Sequence, residues 1–545
     1  MASSTPITLS GLHRAALLES IGEEEYDLII LGGGITGAGI ALDAAARGLN
    51  TILLEKSDFA AGTSSRSTKL IHGGLRYLKQ LEINLVMETG RERAIAHRIA
   101  PYLVHPQPLI LPIYKDGSLG PRAISLALYV YDRLAGVPKD EKRKMLDTPQ
   151  TLSTEPLLSH RDLLGSGLYY EYLTDDARLT MEVLKTAANH GARSFNYITA
   201  EQFIYRQNAI NGVIARDTVS GKMYKIMGRA IINATGPWVD LLRKTDNNLK
   251  RKHIQLTKGV HIVVPYSLLP LKQAAYFEVF SDGRMVFAIP RDGITYLGTT
   301  DTPYEGELEE PGITPDDVDY LLAAAARVFP THPIQRAQII SSWSGLRPLI
   351  HQERKSPSEL SRKDEIILSP SGLLSIAGGK LTNYRKMAER VVNMAIKKHG
   401  LKSRILQSHT DKIPLAGSSA PFDIPYWTNL GIDKDLILSL YHRYGYPTAT
   451  ILAQAMKNGS PSPENIFSAE LRYTIENEMV INASDFLVRR TGRLYFYPDQ
   501  YRHYQTRVIE QMKEIFHWDD VTTQKQIMEL KTLADISLPQ WMRER

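Results

Sequence analysis

The sequence predicts an α/β fold with an appended helical region, and three observations lead to it. Near the N-terminus two short apolar runs flank an alanine-rich segment, and strand–helix–strand in about 30 residues indicates a parallel sheet. Between Lys258 and about Trp343 short β-branched runs follow one another in a more antiparallel pattern. Beyond residue 420 the apolar spacing is mostly helical. We therefore expect a Rossmann-like domain, a sheet-rich second domain and a C-terminal helical domain.

The first βαβ unit can be traced residue by residue. Tyr26–Leu31 is an apolar run with β-branched residues, which predicts a buried strand. Ile35–Arg47 is rich in alanine, and Gly48 follows it as helix-ending glycines do. Thr51–Glu55 is a second apolar strand.

Later elements suggest where the domains divide. The predicted strands are 224–234, 260–264, 296–299 and 371–377, and a helix is predicted from about Tyr384 to Lys398. We expect the Rossmann-like domain to be discontinuous and to comprise 24–95, 165–257 and 341–400. The substrate domain would comprise 96–164 and 258–340, the Ser-, Gly- and Pro-containing stretch 401–420 would be a linker, and 421–545 would form the helical domain.

The composition narrows the function classes. The 65 Lys and Arg against 59 Asp and Glu give a formal charge of +6, which is mild for 545 residues and suits an anionic small substrate or acidic lipid. Basic residues are scattered and no stacking-aromatic motif accompanies them, so nucleic-acid binding is not expected. The absence of cysteine excludes disulfides, thiolate metal sites and a catalytic cysteine, and no metal site is expected.

No membrane span or secretory signal is expected. Met1–Ser20 lacks a basic start followed by a sustained apolar run. The longest uncharged apolar run, Ala123–Tyr131, is far shorter than the roughly 20 residues that cross a bilayer. Together with the absence of cysteine, this favours a reducing compartment and a cytoplasmic location.

The strongest local motif predicts a dinucleotide site. Gly32, Gly34 and Gly37 form G-x-G-x-x-G between the first strand and the helix, where glycines permit a sharp turn, a close pyrophosphate and tight helix–strand packing. The helix N-terminus offers free N–H groups to phosphate. Glu55, 18 residues after Gly37, stands where an acid accepts hydrogen bonds from a ribose. The same fingerprint serves NAD and FAD.

Longer motifs carry a family resemblance. They are Gly32–Gly48, Thr63–Leu78, Asn233–Trp238, Lys258–Pro265, Gly298–Asp301, Ser344–Leu349, Gly378–Arg385 and, near the C-terminus, Asp485–Thr491. In this order they closely resemble the FAD-dependent, aerobic-type glycerol-3-phosphate dehydrogenases of the D-amino-acid-oxidase-like flavoproteins, over nearly everything from Tyr26 to Lys398. Asn383 departs from that pattern, since the family commonly carries a small residue there.

The resemblance implies a function. FAD would bind without a covalent link between the nucleotide domain and the sheet-rich domain. sn-Glycerol 3-phosphate would be oxidised to dihydroxyacetone phosphate by hydride transfer to FAD, and the electrons would pass to a quinone. A relative that reduces oxygen to peroxide, and a non-catalytic flavin-binding sensor, stay as alternatives. An amino-acid oxidase is disfavoured, because it needs a carboxylate clamp rather than a phosphate pocket.

The resemblance also implies which residues hold the substrate. Arg76 and Tyr77, with Arg362, would bind its phosphate, for which the planar fork of arginine is suited. His261 and Arg347 are the candidates beside the reacting carbon. Histidine can accept a proton near neutral pH, and an arginine can stabilise a developing alkoxide. Which group acts as base is left open.

The remaining candidates concern the cofactor. Backbone N–H groups from Lys380 through Leu381 to Thr382 would face the flavin at a helix start, and the Lys380 side chain would add charge to the substrate pocket. The other residues expected to contact FAD are Ser64, Ser65, Gly236 and Gly379.

Peripheral membrane contact is a hypothesis motivated by quinone chemistry. Pro121–Leu134 and Lys250–His253 are the stretches that would provide it, at the inner face of the cell membrane. A homodimer is kept as a second hypothesis.

Overall fold

A computed structural model describes the chain at residues 9–74, 82–246, 253–350, 364–457, 459 and 461–543. The strands of this part of the chain are β1 (Glu25–Leu31), β2 (Thr51–Leu54), β3 (Leu70–Ile71), β4 (His105–Tyr114), β5 (Lys144–Leu146), β6 (Leu163–Leu173), β7 (Arg193–Phe195), β8 (Ile198–Arg206), β9 (Ala209–Asp217), β10 (Met223–Asn233), β11 (Ile254–Pro265), β12 (Ala274–Glu278), β13 (Met285–Arg291), β14 (Ile294–Gly298), β15 (Thr302–Pro303), β16 (Ser341–Ile350), β17 (Glu365–Leu368) and β18 (Leu374–Ala377).

Helices connect these strands and follow them. They are α1 (Arg14–Glu19), α2 (Ile35–Ala46), α3 (Ile83–Ile99), α4 (Pro121–Ala135), α5 (Thr148–Thr154), α6 (Asp176–Asn189), α7 (Val239–Thr245), α8 (Pro315–Val328), α9 (Tyr384–His399), α10 (Ile424–Asn429), α11 (Lys434–Tyr444), α12 (Thr448–Lys457), α13 (Pro463–Asn477), α14 (Arg493–Phe496), α15 (Pro498–Phe516), α16 (Asp520–Ser537) and α17 (Gln540–Arg543). None of the described helices is long and apolar enough to cross a bilayer.

The first sheet is the Rossmann-like one that the N-terminal motif predicts. Its main path runs β17-β18-β10-β1-β2-β7, and all of these strands but β17 are parallel to their neighbours. An antiparallel extension, β8 and β9, leads into β10. Leu31 on β1 is in register with Leu54 on β2 and Asn233 on β10. The segments that leave these strands therefore meet at one edge, which is where doubly wound sheets bind ligands.

The second sheet is larger and mainly antiparallel. Its path is β15-β11-β14-β13-β12-β4-β6-β3, with β16 on β11 and β5 on β6. The long strand β11 pairs with β14, β15 and β16. One side of this sheet packs on the helices after residue 463, since Phe467 and Phe486 share a buried cluster with Tyr169 and Trp343.

The predicted α/β class with its helical C-terminus is confirmed, and the structure adds detail about the divisions. β6 and β16 pair within the second sheet, although the expected limits place most of β6 and all of β16 in the nucleotide domain. The expected linker packs on α6, where Gly417 N donates to Glu182 Oε2 at 2.9 Å. The domain limits stay a proposal, and a division by sheet would transfer these two strands to the substrate domain.

Candidate active site

A cavity of about 830 Å³ is lined by residues of both sheets. The first sheet contributes the segments that follow β1, β2, β10 and β18, among them Gly32, Glu55 and Gly236. The second sheet contributes His261 on β11 and Arg347 on β16. The cavity thus joins the predicted nucleotide site to His261 and Arg347, the residues predicted to take part in the reaction.

The glycine turn and the acid after β2 are bonded to each other. Gly33 N donates to Glu55 Oε2 at 2.6 Å, and Ser57 N donates to Oε1 at 2.8 Å. Loss of water raises the pKa of Glu55, and the two backbone donors offset this only in part. The carboxylate is therefore held rigidly at the cavity wall, with lone pairs left to accept further hydrogen bonds.

The helix that follows packs directly on this turn. A Cβ at Gly37 would lie 1.9 Å from the carbonyl oxygen of Gly32, so no larger residue fits there. The first turn of α2 is closed by Ser64, whose Oγ accepts from Ile35 N at 2.9 Å. Gly32, Gly34 and Ser64 line the cavity, whereas Gly37 acts through packing.

A second glycine turn leaves β18. Gly378 and Gly379 both have positive φ, and the chain passes through Lys380 into a short 3₁₀ turn, Leu381–Asn383, before α9 begins. Residues 378 to 382 line the cavity. Thr382 Oγ1 donates to the carbonyl oxygen of His72 at 3.1 Å, which ties this turn to the chain that follows β3.

His261 lies in the middle of the second sheet. Its cross-strand neighbours are Gly298, which leaves room, and Trp343, whose ring stacks on the imidazole at 4.8 Å. Nε2 is 2.9 Å from Thr68 Oγ1, and both residues line the cavity. Burial lowers the pKa of His261 well below 6.5, and the cations of Arg347 and a nearby lysine lower it further. The imidazole is therefore neutral at physiological pH.

Arg347 presents its guanidinium to the same space. Nη2 donates to Thr299 Oγ1 at 2.8 Å, and Nη1 donates to Asp301 Oδ1 at 3.1 Å. A Cβ at Gly259 would lie 2.2 Å from Nη2, so the glycine of β11 makes the room that the guanidinium occupies. The arginine is thereby oriented on a rigid strand with one face toward the cavity.

Comparisons with known proteins agree with this geometry. Residues 27–385 match the family model of FAD dependent oxidoreductases, and residues 408–523 match the C-terminal domain of alpha-glycerophosphate oxidase. An aerobic glycerol-3-phosphate dehydrogenase of Bacillus subtilis is 47% identical over 550 residues, which cover 97% of this chain and 98% of the relative. The chain belongs to the FAD-dependent glycerol-3-phosphate dehydrogenase family. A Staphylococcus epidermidis member is 45% identical, with 97% and 98% covered.

Solved structures support the same family. The glycerol-3-phosphate dehydrogenase of Bacillus halodurans, complexed with FAD, superposes with a TM-score of 0.84 at 39% identity, and the match covers 97% of this chain and 98% of that one. A glycine oxidase of Geobacillus kaustophilus matches with a TM-score of 0.54 at 20% identity, covering 72% and 98%, and shares the fold alone.

The cavity fits FAD, the cofactor of the family. Because the turn before α2 consists of glycines, no side chain covers its backbone N–H groups, and a pyrophosphate can approach the N-terminus of the helix closely. Glu55 lies at the end of β2, where it can accept from ribose hydroxyls. The turn from Gly378 to Thr382 offers backbone donors to the same cavity that His261 and Arg347 line. Cofactor and substrate candidates therefore share one continuous space.

The predicted residues divide into three groups. Those that line the cavity are Gly32, Gly34, Glu55, Ser64, Gly236, His261, Arg347, Gly379, Lys380, Leu381 and Thr382. Gly37 and Ser65 do not line it: Gly37 packs against Gly32, and the buried side chain of Ser65 donates to Gly62 O at 3.4 Å, because the 3₁₀ turn Thr63–Ser65 points it inward. The phosphate-binding candidates Arg76, Tyr77 and Arg362 lie outside the described residues.

Sequence reasoning missed several lining or supporting residues. Lys69 and Asp176 form a buried ion pair at 2.5 Å beside the cavity, and Lys69 lies within a motif that the resemblance already covered. Trp343, which stacks on His261, directly precedes another such motif. Glu171 and Glu309 also line the cavity, and no local pattern marks either one, because their roles depend on distant partners.

Proposed function

We propose that the protein oxidises sn-glycerol 3-phosphate to dihydroxyacetone phosphate. One observation supports this proposal most directly. The residues that fit FAD line the same cavity as His261 and Arg347, which lie on strands of the second sheet. The relatives named as glycerol-3-phosphate dehydrogenases, at up to 47% identity over nearly the whole length, support the choice of substrate.

The chain's own residues would orient the substrate and move one proton. Bound FAD would supply the acceptor for the hydride of the carbinol carbon. Neutral His261, with Nε2 beside Thr68 Oγ1, takes up the hydroxyl proton. Arg347 donates to the oxygen as negative charge develops on it, and its bonds to Thr299 and Asp301 keep it in place.

The phosphate would be held at the other end of the substrate. Lys380 provides a cation on the cavity wall next to the second glycine turn. Arg76, Tyr77 and Arg362 stay predictions for the remaining phosphate contacts, since an arginine fork binds a phosphate through two hydrogen bonds at once.

An anaerobic titration tests both cofactor and substrate. Purified protein loaded with FAD should lose its yellow colour when glycerol 3-phosphate is added without oxygen, and it should keep that colour with glycerol. A protein that holds FAD but stays yellow would instead be the non-catalytic sensor. A protein that holds no FAD under any condition would refute the proposal.

We propose a quinone as the electron acceptor, with oxygen as the second candidate. The match of residues 408–523 to a domain named for an oxidase keeps oxygen in view. Stopped-flow reoxidation of the reduced protein distinguishes them: faster reoxidation by a soluble quinone analogue than by oxygen supports the dehydrogenase, and the reverse order supports the oxidase.

We also propose contact with the inner face of the cell membrane through α4. Its inward face buries Leu128 and Tyr131, while Leu126 and Tyr129 are exposed on the outer face. Arg133 and Arg143 lie over the ring of Tyr129, and exposed cations in this helix and the segment after it include Arg122, Lys139 and Lys142. An apolar strip among cations suits an anionic lipid surface. The other suspected stretch, Lys250–His253, lies outside the described residues except for His253.

Flotation with vesicles that contain anionic lipid tests this contact. The wild-type protein should float, and Leu126→Asp, which places a negative charge in the strip, should reduce the floating fraction. Protein that stays at the bottom of the gradient would refute the contact. The cytoplasmic location and the homodimer stay predictions, and sedimentation velocity would test the latter.

A further inference from the structure

We infer that Glu171 is a positioning residue, which holds the cavity wall His72–Gly74 in the place where the substrate binds. The inference deepens the proposed function and rests on it. Glu171 lies on β6 and is 2% exposed, yet it lines the cavity. A buried carboxylate is costly unless it is paired and hydrogen-bonded, so its partners show what it holds.

Three donors surround this carboxylate. Oε2 accepts from Gly73 N at 3.0 Å and from Arg93 Nη1 at 3.0 Å. Oε1 accepts from Tyr131 OH at 2.9 Å. Arg93 and Tyr131 are fully buried and come from α3 and α4, so residues of two helices hold the carboxylate in place. Its remaining contact, to Gly73, is the one that reaches the cavity wall.

The position of Gly73 explains why a side chain performs this task. The ladder between β3 and β6 ends at Ile71, which pairs with Tyr172. Beyond it the backbone needs another acceptor for Gly73 N–H, and Glu171 supplies one from the same strand. A Cβ at Gly73 would lie 2.1 Å from the hydroxyl oxygen of Tyr131, so the cavity wall packs directly on Tyr131, which also bonds to Glu171.

The same wall is held from the cofactor side. His72 O accepts from Thr382 Oγ1 at 3.1 Å, and Thr382 belongs to the turn expected to bind FAD. His72 and Gly74 line the cavity. The segment is therefore bonded at one residue to the turn expected to bind FAD and at the next to Glu171, and it lines the same cavity as His261 and Arg347.

Two variants separate positioning from a simple effect of charge. Glu171→Gln removes the charge and weakens the bond to Gly73, while Glu171→Asp keeps the charge but shortens the reach by one methylene. A carboxylate that acted only through its charge would repel a dianion, so Glu171→Gln would bind glycerol 3-phosphate more tightly and Glu171→Asp would be unchanged. Positioning requires both variants to bind it more weakly.

The experiment measures glycerol 3-phosphate binding and flavin reduction in the FAD-loaded full-length protein, without oxygen. Because the bond to Gly73 loses its charge in Glu171→Gln and its reach in Glu171→Asp, we expect the dissociation constant to rise about tenfold in both variants, with a smaller loss in the saturating reduction rate. Tyr131→Phe removes one bond to the same carboxylate with little change of shape, and a rise of about two- to threefold is expected.

Glu155→Gln is the matched control. Glu155 is a buried carboxylate of the described chain that accepts from Lys272 N and Gln273 N away from the cavity, so its loss should leave substrate binding within about twofold. Tighter or unchanged binding in Glu171→Gln, or an equal loss in Glu155→Gln, would overturn the inference. If glycerol 3-phosphate does not bleach the flavin of the wild-type protein, the proposed function is refuted instead. The failure of the inference can therefore be told apart from the failure of the proposed function.

Discussion

Gly37 shows how a single missing side chain brings a helix against a turn. Its Cα lies so close to the carbonyl of Gly32 that a Cβ would sit 1.9 Å from that oxygen. Contacts of this kind cannot be relieved by a rotamer change, because both partners are backbone. The whole N-terminus of α2, where the FAD pyrophosphate is expected, depends on this contact.

Gly37→Ala should therefore lose FAD. The turn and α2 must move apart, which displaces the backbone donors, and we expect the flavin content of the purified protein to fall by at least about tenfold. Absorbance of the bound flavin relative to protein measures it. Gly120→Ala is the control, since a Cβ there meets nothing within 4 Å. Full flavin content in Gly37→Ala would contradict the argument.

His261 offers a test through pH. Burial, with the cations of Arg347 and Lys69, lowers its pKa well below 6.5. An ordinary histidine would take up a proton as pH falls through about 6.5 and could no longer accept one from the substrate. Because the folded pKa is depressed, the neutral form persists, and the saturating rate of flavin reduction should stay level from about pH 8 to about pH 6. A fall centred near pH 6.5 that His261→Asn abolishes would contradict this.

The segment 304–312, which we call the strap, connects the two sheets. It follows β15 and reaches the nucleotide side, where Glu309 Oε1 accepts from Lys56 Nζ at 2.8 Å and from Trp238 Nε1 at 2.9 Å. Lys56 directly follows Glu55, and Glu309 lines the cavity. The strap thus closes over the side of the cavity where the adenosine half of FAD is expected.

Glu309→Gln should speed the release of FAD. The ion pair is 36% and 58% exposed at its two side chains, so its contribution is small, and we expect release about two- to fivefold faster. The recovery of flavin fluorescence after dilution measures the rate. Glu19→Gln removes a similar exposed pair, with Lys222, on the far side of the nucleotide domain and should leave the rate unchanged. An equal change in both variants would argue against a strap.

Across the whole molecule, a buried network of charges joins the nucleotide domain to the helical region. Asp58, four residues after β2, accepts from Arg490 Nη1 at 2.6 Å and from Arg489 Nε at 2.5 Å. Glu478 in turn pairs with Arg178 on α6 at 2.6 Å. Arg489 and Arg490 stand on a single π-helical turn, Asp485–Arg490, and Arg490 also reaches Glu478, whose backbone oxygen accepts from Nη2 at 2.7 Å. The helical region therefore braces the nucleotide site.

Asp58→Asn should strongly destabilise the protein. Arg489 would still pair with Asp485 and Arg490 would still contact Glu478, but both would lose the buried carboxylate that they share, which costs about 3 kcal/mol of the free energy of unfolding. Thermal unfolding with excess FAD measures the loss. Asp319→Asn, which breaks an exposed pair with Arg336, is the control and should change little.

The ion pairs of Asp58 with Arg489 and Arg490 predict that the stability of the protein depends on pH. Burial raises the pKa of Asp58, but Arg490 and Arg489 outweigh it and hold the pKa at about 2, below the ordinary 3.8. The folded pKa is depressed, so this stabilisation is present above about pH 4 and is lost as pH falls toward 2. The difference between wild type and Asp58→Asn should shrink in that range, and a constant difference would contradict the assignment.

The sequence by itself determined the first βαβ unit, the glycine turn with Glu55 and the helical C-terminus, because each depends on residues close together in the chain. Motif resemblance also placed His261, Arg347 and the Gly378–Thr382 turn at one site. Only the tertiary structure decided that Ser65 points away, that β6 and β16 belong to the second sheet, and that Glu171, Glu309 and Asp58 support the cavity. Each of these depends on partners tens or hundreds of residues away, which packing selects and local pattern does not record.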